Sequence, residues 1–278
     1  MSEELENQTI EEQNAQVRRE MARLSRRSFL WAGVATLGVW KGISWLASRA
    51  DDDGVPYPFR AALAFNEGLA KDYFGPERLA PTFSESQVMR PPRYNGDDGL
   101  GDDFDPDQWT LTVNNVHGKG GPITLSMEDI KKLPEVTQIT QFCCIEGWSM
   151  IVKWTGVRLV DFMEKYPPQS RLTDDEGNHL KPDVRRKPED LVRYVGMSTP
   201  DDGYYVGLDM ASALHPQTLL CYAMNDEPLT LEHGAPLRLV IPVKYGVKNI
   251  KRIGAITYSD DRPNDFWAKQ GYDWFAGL

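Results

Sequence analysis

The chain has 278 residues, of which 41% are hydrophobic and 26% charged, and it carries a net charge of −10. That length allows one large domain or two small ones with a stable core, and the acidic balance excludes a nucleic-acid binder, which needs a basic surface. With three cysteines there is no disulfide framework and no four-thiolate cluster, which leaves a single thiolate holding a soft metal as the cysteine chemistry to look for.

Residues 1–50 are expected to lie outside the fold. Ser25-Arg26-Arg27-Ser28-Phe29-Leu30 looks like a twin-arginine export signal followed by an apolar run over 29–40. About a dozen residues suit a signal core of roughly 7–15 better than a span of about 20. The apolar character resumes after Lys41 as far as Ala47, so 29–47 reads equally as a cleaved signal or as a membrane anchor in which Lys41 snorkels. Arginines 18, 19, 23, 26 and 27 before the run, and aspartates 51–53 after it, place the N-terminus in the cytoplasm. The rest of the chain is then expected to be exported, in the periplasm or another extracytoplasmic space. Met21 is an alternative start.

Residues 51–103 are rich in Pro, Gly and Asp and read as an irregular N-terminal wrap with one helix near 60–74. The acidic stretch 96–103 lacks a glutamate at the twelfth calcium-loop position, so it reads as a solvated loop. From 104 to 278 short strands alternate with short helices. Residues 109–113 alternate at period two, as a half-buried strand does. Ser126, with Asp129 three positions on, caps a helix over 126–133 that Pro134 ends. The β-branched and aromatic run 136–142 is a strand that delivers Cys144 to its end, and 157–166 reads as an amphipathic helix. Further strands are expected over 191–197, 204–208, 219–224, 237–241 and 250–258. Strands outnumber helices in an irregular order, which predicts a mixed, β-rich α+β domain.

Two segments carry chemistry. The first is Gln141-Phe142-Cys143-Cys144-Ile145-Glu146-Gly147-Trp148-Ser149. A cysteine at a strand end is by itself more often a small buried hydrophobe, but a bound high-valent metal would drive off its proton and leave a strong anionic ligand. Cys143 points away from Cys144 if both lie in a strand, or pairs with it in a vicinal disulfide. Cys221 reads as core. The second segment is His233-Gly234-Ala235-Pro236-Leu237-Arg238 followed by Lys244-Tyr245-Gly246-Val247-Lys248-Asn249-Ile250-Lys251-Arg252. From Arg238 to Arg252 it holds five basic residues and no acid. Either it is a basic face, or it is built for an anion such as a phosphate, for which each cation at about 4 Å contributes roughly 4 kcal/mol at an effective dielectric of 20. Its glycines and proline and its non-helical spacing favour the second.

Both segments resemble the sulfite-oxidase fold superfamily of molybdopterin-dependent oxidoreductases, most closely the exported group that includes the methionine-sulfoxide reductase catalytic subunits. The likeness runs from about Pro91 to the C-terminus. It implies the β-rich sulfite-oxidase-type fold without the C-terminal immunoglobulin-like dimerisation domain, and one molybdopterin per molybdenum with Cys144 as the metal ligand. It further implies that His233, Arg238, Lys248 and Lys251, with backbone at Asn249 and Ile250, hold the pterin and its phosphate. Arg93-Tyr94-Asn95-Gly96 resembles a segment whose asparagine lies near the metal, so Arg93 and Asn95 join the cofactor set; an Asn-Gly turn explains it as well. Thr199 aligns with a pterin-contacting threonine, or is a turn hydroxyl before Pro200. Glu146 and Tyr245 are candidates for proton handling, although Glu146 could equally cap a turn.

The expected reaction is two-electron oxygen-atom transfer in the direction of S-oxide or N-oxide reduction. No arginine follows Cys144, so an anionic oxyacid would meet Glu146, whereas Trp148, Trp154, Tyr204 and Tyr205 would suit a neutral sulfoxide and its thioether product. Sulfite oxidation on the same fold, or an exported anion-binding protein without catalysis, are the alternatives. Haem and iron–sulfur spacings are missing, so electrons must come from a partner, which the resemblance implies is a membrane haem or quinone-linked protein.

Overall fold

The computed structural model describes residues 31, 34–45, 48–49, 51–52, 55–75, 78–101 and 104–278; the twin-arginine motif lies outside them. Two units separate, Met1–Asp52 with Pro56–Phe59, and Asp53–Val55 with Arg60–Leu278. In the first, residues 34–45 are helical and exposed. No described helix is long and apolar enough to cross a membrane. All that follows concerns the second unit.

Its strands, in chain order, are β1 (Leu111–Asn114), β2 (Ile123–Leu125), β3 (Glu135–Cys143), β4 (Ser149–Arg158), β5 (Tyr194–Ser198), β6 (Tyr205–Asp209), β7 (Leu219–Met224), β8 (Glu227–Pro228), β9 (Arg238–Val240) and β10 (Ala255–Ser259). They form two five-stranded sheets. One runs β8-β7-β4-β3 with β9 also on β7; the other runs β2-β1-β10-β5-β6. Only β10 with β1 is parallel among the inter-strand pairs of these sheets. Its helices are α1 (Tyr57–Tyr73), which belongs to this unit from Arg60 onward, and the short α2 (Met127–Lys131), α3 (Leu159–Lys165) and α4 (Met210–Ala213), none of them longer than seven residues. This is the mixed, β-rich α+β architecture expected.

The main core joins the second sheet (Leu111, Val113, Val195, Val206, Ile256) to α3 (Leu159, Phe162, Met163) and to Leu237 and Leu239 near β9. A second cluster under the first sheet holds Met150, Val152, Trp154, Leu219 and Cys221. Ser126 caps α2 with the reciprocal Asp129 bond its spacing predicts.

Local reading fails where tertiary pairing decides. The expected helix over 157–166 begins only at Leu159, because Val157 and Arg158 remain in β4, paired with Leu220 and Leu219 of β7. The expected strand over 250–258 shrinks to 255–259. Ile250 and Ile253 face the core, and their backbones bond to Leu239 and Leu237 outside a regular ladder. No sequence expectation covers β2, most of β4, β8 or α4.

The β4–β7 register shifts between Thr155 and Gly156. There the strands approach so closely that a Cβ on Gly156 would sit 2.2 Å from the Leu220 carbonyl oxygen and 2.7 Å from the Cys221 Cα. Both obstacles are backbone, which cannot swing aside. Gly156→Ala is therefore expected to destabilise by about 3 kcal/mol or more, the top of the overpacking range. Calorimetry should show a melting point lowered by roughly 6–12 °C for a chain of this size.

Candidate functional site

The β3–β4 hairpin places Cys144. Strand β3 ends at Cys143, opposite Ser149, and the connection is a tight turn: Gly147 N–H donates to the Cys144 carbonyl (3.1 Å) and Cys144 N–H to the Trp148 carbonyl (2.9 Å). Gly147 has φ of +86°, a conformation glycine takes without steric cost. The turn leaves Cys144 half-buried on the wall of a cavity of about 190 Å³.

The basic segment reaches the same cavity from β9 and the loop after it. His233, Arg238, Asn249 and Lys251 line it. Arg238 is 3% exposed; its guanidinium donates to the carbonyls of His233 (3.0 Å) and Asn249 (3.3 Å) and lies 5.0 Å from the Trp154 ring. Burial pushes it down to about 10, so it stays a cation at neutral pH. Burial, with Arg238 beside it, pushes Lys251 down to about 8. The same two causes, together with Lys251, lower His233, whose Nδ1 shares a 2.8 Å hydrogen bond with Thr230 Oγ1. Gly234 lets this wall close: its φ is +96°, and a Cβ there would meet the Lys251 Cβ at 2.7 Å.

The third wall comes from the N-terminal wrap, which the first sheet holds. Phe83 N–H bonds to the Ile139 carbonyl and Met89 N–H to that of Ile151, while Arg90 donates to the Asn225 carbonyl at 2.7 Å. Residues 93–98 then cross the cavity, and Lys251 Nζ fastens them through the carbonyls of Asn95 (2.8 Å) and Gly96 (2.6 Å). Arg93, Asn95 and Asp98 line the cavity. Glu146 also faces it and accepts a 2.9 Å hydrogen bond from Trp148 Nε1.

Four expected positions are not on this wall, each for a visible reason. Lys248 is 1% exposed and its Nζ is committed to Asp265 (2.5 Å) and the Gly207 carbonyl (3.0 Å). With Asp265 accepting from Gly207 N–H, the pair stands in for a neighbouring strand beside β6. Thr199 is buried; its hydroxyl donates to Asp201 and accepts from Tyr204 N–H, closing the turn that presents Tyr204. Ile250 belongs to the core. Tyr245 pairs through its backbone with Ala276 and with the Asn249 side chain.

The aromatic surroundings also differ from expectation. Trp154 is fully buried and Tyr205 lines a separate surface cleft, whereas Phe142, Trp148, Tyr204, Trp267 and Tyr272 line the cavity. Phe142, Trp267 and Tyr272 are not among the expected aromatics; for the last two, the density of aromatics in the aperiodic stretch 266–275 is the signal the sequence offers. The expectation that an anionic oxyacid would meet no cation beside Glu146 is corrected too, since Arg93 arrives there from outside the hairpin. All three cysteines are free. Cys221 is buried, its thiol pushed up to about 12 by burial, as suits a core residue.

Residues 99–267 match the profile of the oxidoreductase molybdopterin binding domain. The chain belongs to this family. It is 36% identical, over 91% of its own length and 88% of the other's, to an Azospira oryzae protein provisionally named protein-methionine-sulfoxide reductase subunit YedZ1. It is 35% identical to the Campylobacter jejuni protein-methionine-sulfoxide reductase catalytic subunit MsrP, over 64% of this chain and 59% of that protein, and so spans less than two thirds of that relative. The sulfane dehydrogenase SoxCD of Paracoccus pantotrophus is similar at 17% identity and a TM-score of 0.45, over 58% of this chain and 40% of that one.

The protein is thus an oxidoreductase that binds molybdopterin, and its cavity fits the group. Arg238 Nε is buried on the wall with no hydrogen-bond partner among the described residues, an orphan donor of the kind a bound anion would satisfy. A buried arginine, a half-buried lysine and a histidine suit a phosphate, and a half-buried thiol on the same wall suits a soft metal.

Proposed function

We propose that this is an oxygen-atom-transfer enzyme that reduces an S-oxide of the methionine-sulfoxide type, with the Cys144 thiolate as the protein ligand of molybdenum. The observation that supports it is one cavity shared by Cys144, Arg238, Lys251 and an aromatic wall, in a chain whose relatives are named for methionine-sulfoxide reduction.

Bound there, the cofactor supplies two-electron oxygen-atom exchange. The chain does the rest. His233, Arg238, Asn249 and Lys251 hold the pterin end and offset its phosphate charge. Trp148, Trp267 and Tyr272 pack against the organic groups of the substrate, and sulfur sits favourably against aromatic rings. Glu146, beside the thiolate, faces the space where the departing oxygen must collect protons, since a sulfoxide, two protons and two electrons yield a thioether and water. Reduction assays with a dye donor on sulfoxides, N-oxides and sulfite test the reading: sulfoxide turnover well above the other two is expected, and turnover on sulfite alone would overturn it.

Lys251 adds a pH dependence. Its protonated form binds anions, so affinity is full below about 8 and falls as pH rises past that point, by at most about tenfold per unit for one linked proton. Titrating cofactor-free protein with pyrophosphate in a calorimeter from pH 7 to 10 should show the decline; a flat profile would remove Lys251 from the anion site.

Export by the twin-arginine route, and electron supply from a membrane haem or quinone-linked protein, complete the reading. The signal motif at 25–30 and the apolar run after it support the first. Replacing Arg26 and Arg27 by Lys should strand the protein in the cytoplasm, as fractionation would show.

A further inference from the structure

The cations of the cavity are of two kinds. Arg238 and Lys251 are fastened to backbone carbonyls, as described. Arg93 is not: its guanidinium lies 4.3 Å over the Trp148 ring and, among the described residues, makes no hydrogen bond and no ion pair. A guanidinium stacked on an aromatic face is held in place while its N–H donors, which lie in its own plane, stay available to a ligand.

Trp148 organises more than Arg93. Its ring N–H holds Glu146 (2.9 Å), its carbonyl holds Cys144 N–H (2.9 Å), and its ring packs 5.8 Å from Phe142. One indole therefore sets a positive and a negative side chain together beside Cys144. An anion entering here gains Arg93 but meets Glu146. A neutral group with a strong dipole fits better: the S=O bond of a sulfoxide turns its negative oxygen to a donor and its apolar substituents to the aromatic wall.

We propose that Arg93 is the residue that binds the substrate oxide, its N–H groups donating to the sulfoxide oxygen, and that Trp148 is the positioning residue beneath it. This assignment rests on the sulfoxide-reductase reading and places Arg93 on the substrate side, not among the cofactor contacts that family resemblance implies. The S–O bond breaks, sulfur takes two electrons that originate in the reduced donor, and the oxygen leaves as water with two protons from solvent.

The test uses holoenzyme with reduced benzyl viologen as donor and methionine sulfoxide as substrate. Arg93→Met is expected to raise KM at least about tenfold, as losing a charge-assisted hydrogen bond does, with molybdenum and pterin per chain unchanged. Arg93→Lys should fall between, because an ammonium lacks the flat fork that stacks and donates together. Trp148→Leu should raise KM like Arg93→Met, and Trp148→Phe, which keeps a ring under the guanidinium, should raise it less. Binding of dimethyl sulfone to the oxidised holoenzyme, which presents S=O without turnover, should weaken in the same order. An unchanged KM in Arg93→Met would overturn the assignment, as would a loss of pterin that accounts for its lost turnover, since Arg93 would then be a cofactor ligand. If the wild type reduces no sulfoxide at all, the functional reading fails first and this assignment with it.

Discussion

Cys144→Ser is expected to lower turnover by at least about 10³-fold, equivalent to roughly 4 kcal/mol of lost transition-state stabilisation, while pterin stays bound. The two halves of that result come from different parts of the cavity. Serine keeps the backbone bonds that fix the turn, Cys144 N–H to Trp148 and Gly147 N–H to Cys144, so the hairpin and Arg238 are undisturbed. What it loses is the thiolate, since a hydroxyl is far harder to deprotonate and makes a poor soft-metal ligand. Steady-state assays with a dye donor, together with pterin fluorescence after acid release, separate the two. Cys143→Ser is the control. Cys143 is half-buried, its thiol pushed up by burial, and it does not line the cavity, so turnover should stay within about twofold of wild type, the mark of a residue away from the interactions that dominate single-site effects.

Arg238→Met is expected to cut pterin occupancy by more than about tenfold, because one cation at about 4 Å contributes roughly 4 kcal/mol at an effective dielectric of 20. Lys251 and His233 remain, which keeps the loss below that full amount. The cofactor-free protein should change much less. Losing Arg238 leaves the His233 and Asn249 carbonyls without their donor, at about 1–3 kcal/mol each, but it also removes a buried charge whose desolvation costs several kcal/mol. Burial lowers the arginine in the folded chain. With the folded value below the unfolded one, carrying that charge weakens the fold at every pH below about 10 and ceases to do so only above it. A group retained against that penalty points to a ligand. Arg238→Lys should keep part of the pterin, as a point charge without the fork. Full occupancy in Arg238→Met would mean that the phosphate lies elsewhere.

The parts of the site that could be read from the sequence are those in which neighbours along the chain are also neighbours in space. Cys144, Glu146 and Trp148 share one hairpin turn; His233, Arg238, Asn249 and Lys251 flank a single strand. The capping pair Ser126 and Asp129 is legible for the same reason. Lys248 shows the limit. In a run of cations nothing local distinguishes Lys251, which faces the cavity, from Lys248, which turns inward to Asp265, because the single 3-10 turn Gly246–Lys248 and a partner 17 positions away decide it. Arg93 reaches the cavity only through long-range contacts, the bonds from Met89 to Ile151 and from Lys251 to Asn95, whereas Tyr272 packs on its near neighbour Trp267 (5.2 Å between rings) in a stretch with no periodic pattern to read. Strand β4 is not legible locally, because its run of β-branched and aromatic residues is indistinguishable from other buried apolar stretches until it has a partner.

The account depends on sulfur ligation by the hairpin cysteine. Molybdenum K-edge X-ray absorption on loaded wild type and loaded Cys144→Ser measures it directly. The expected result is a molybdenum centre in both, with one sulfur neighbour fewer in the variant. An identical sulfur count in the two would contradict it.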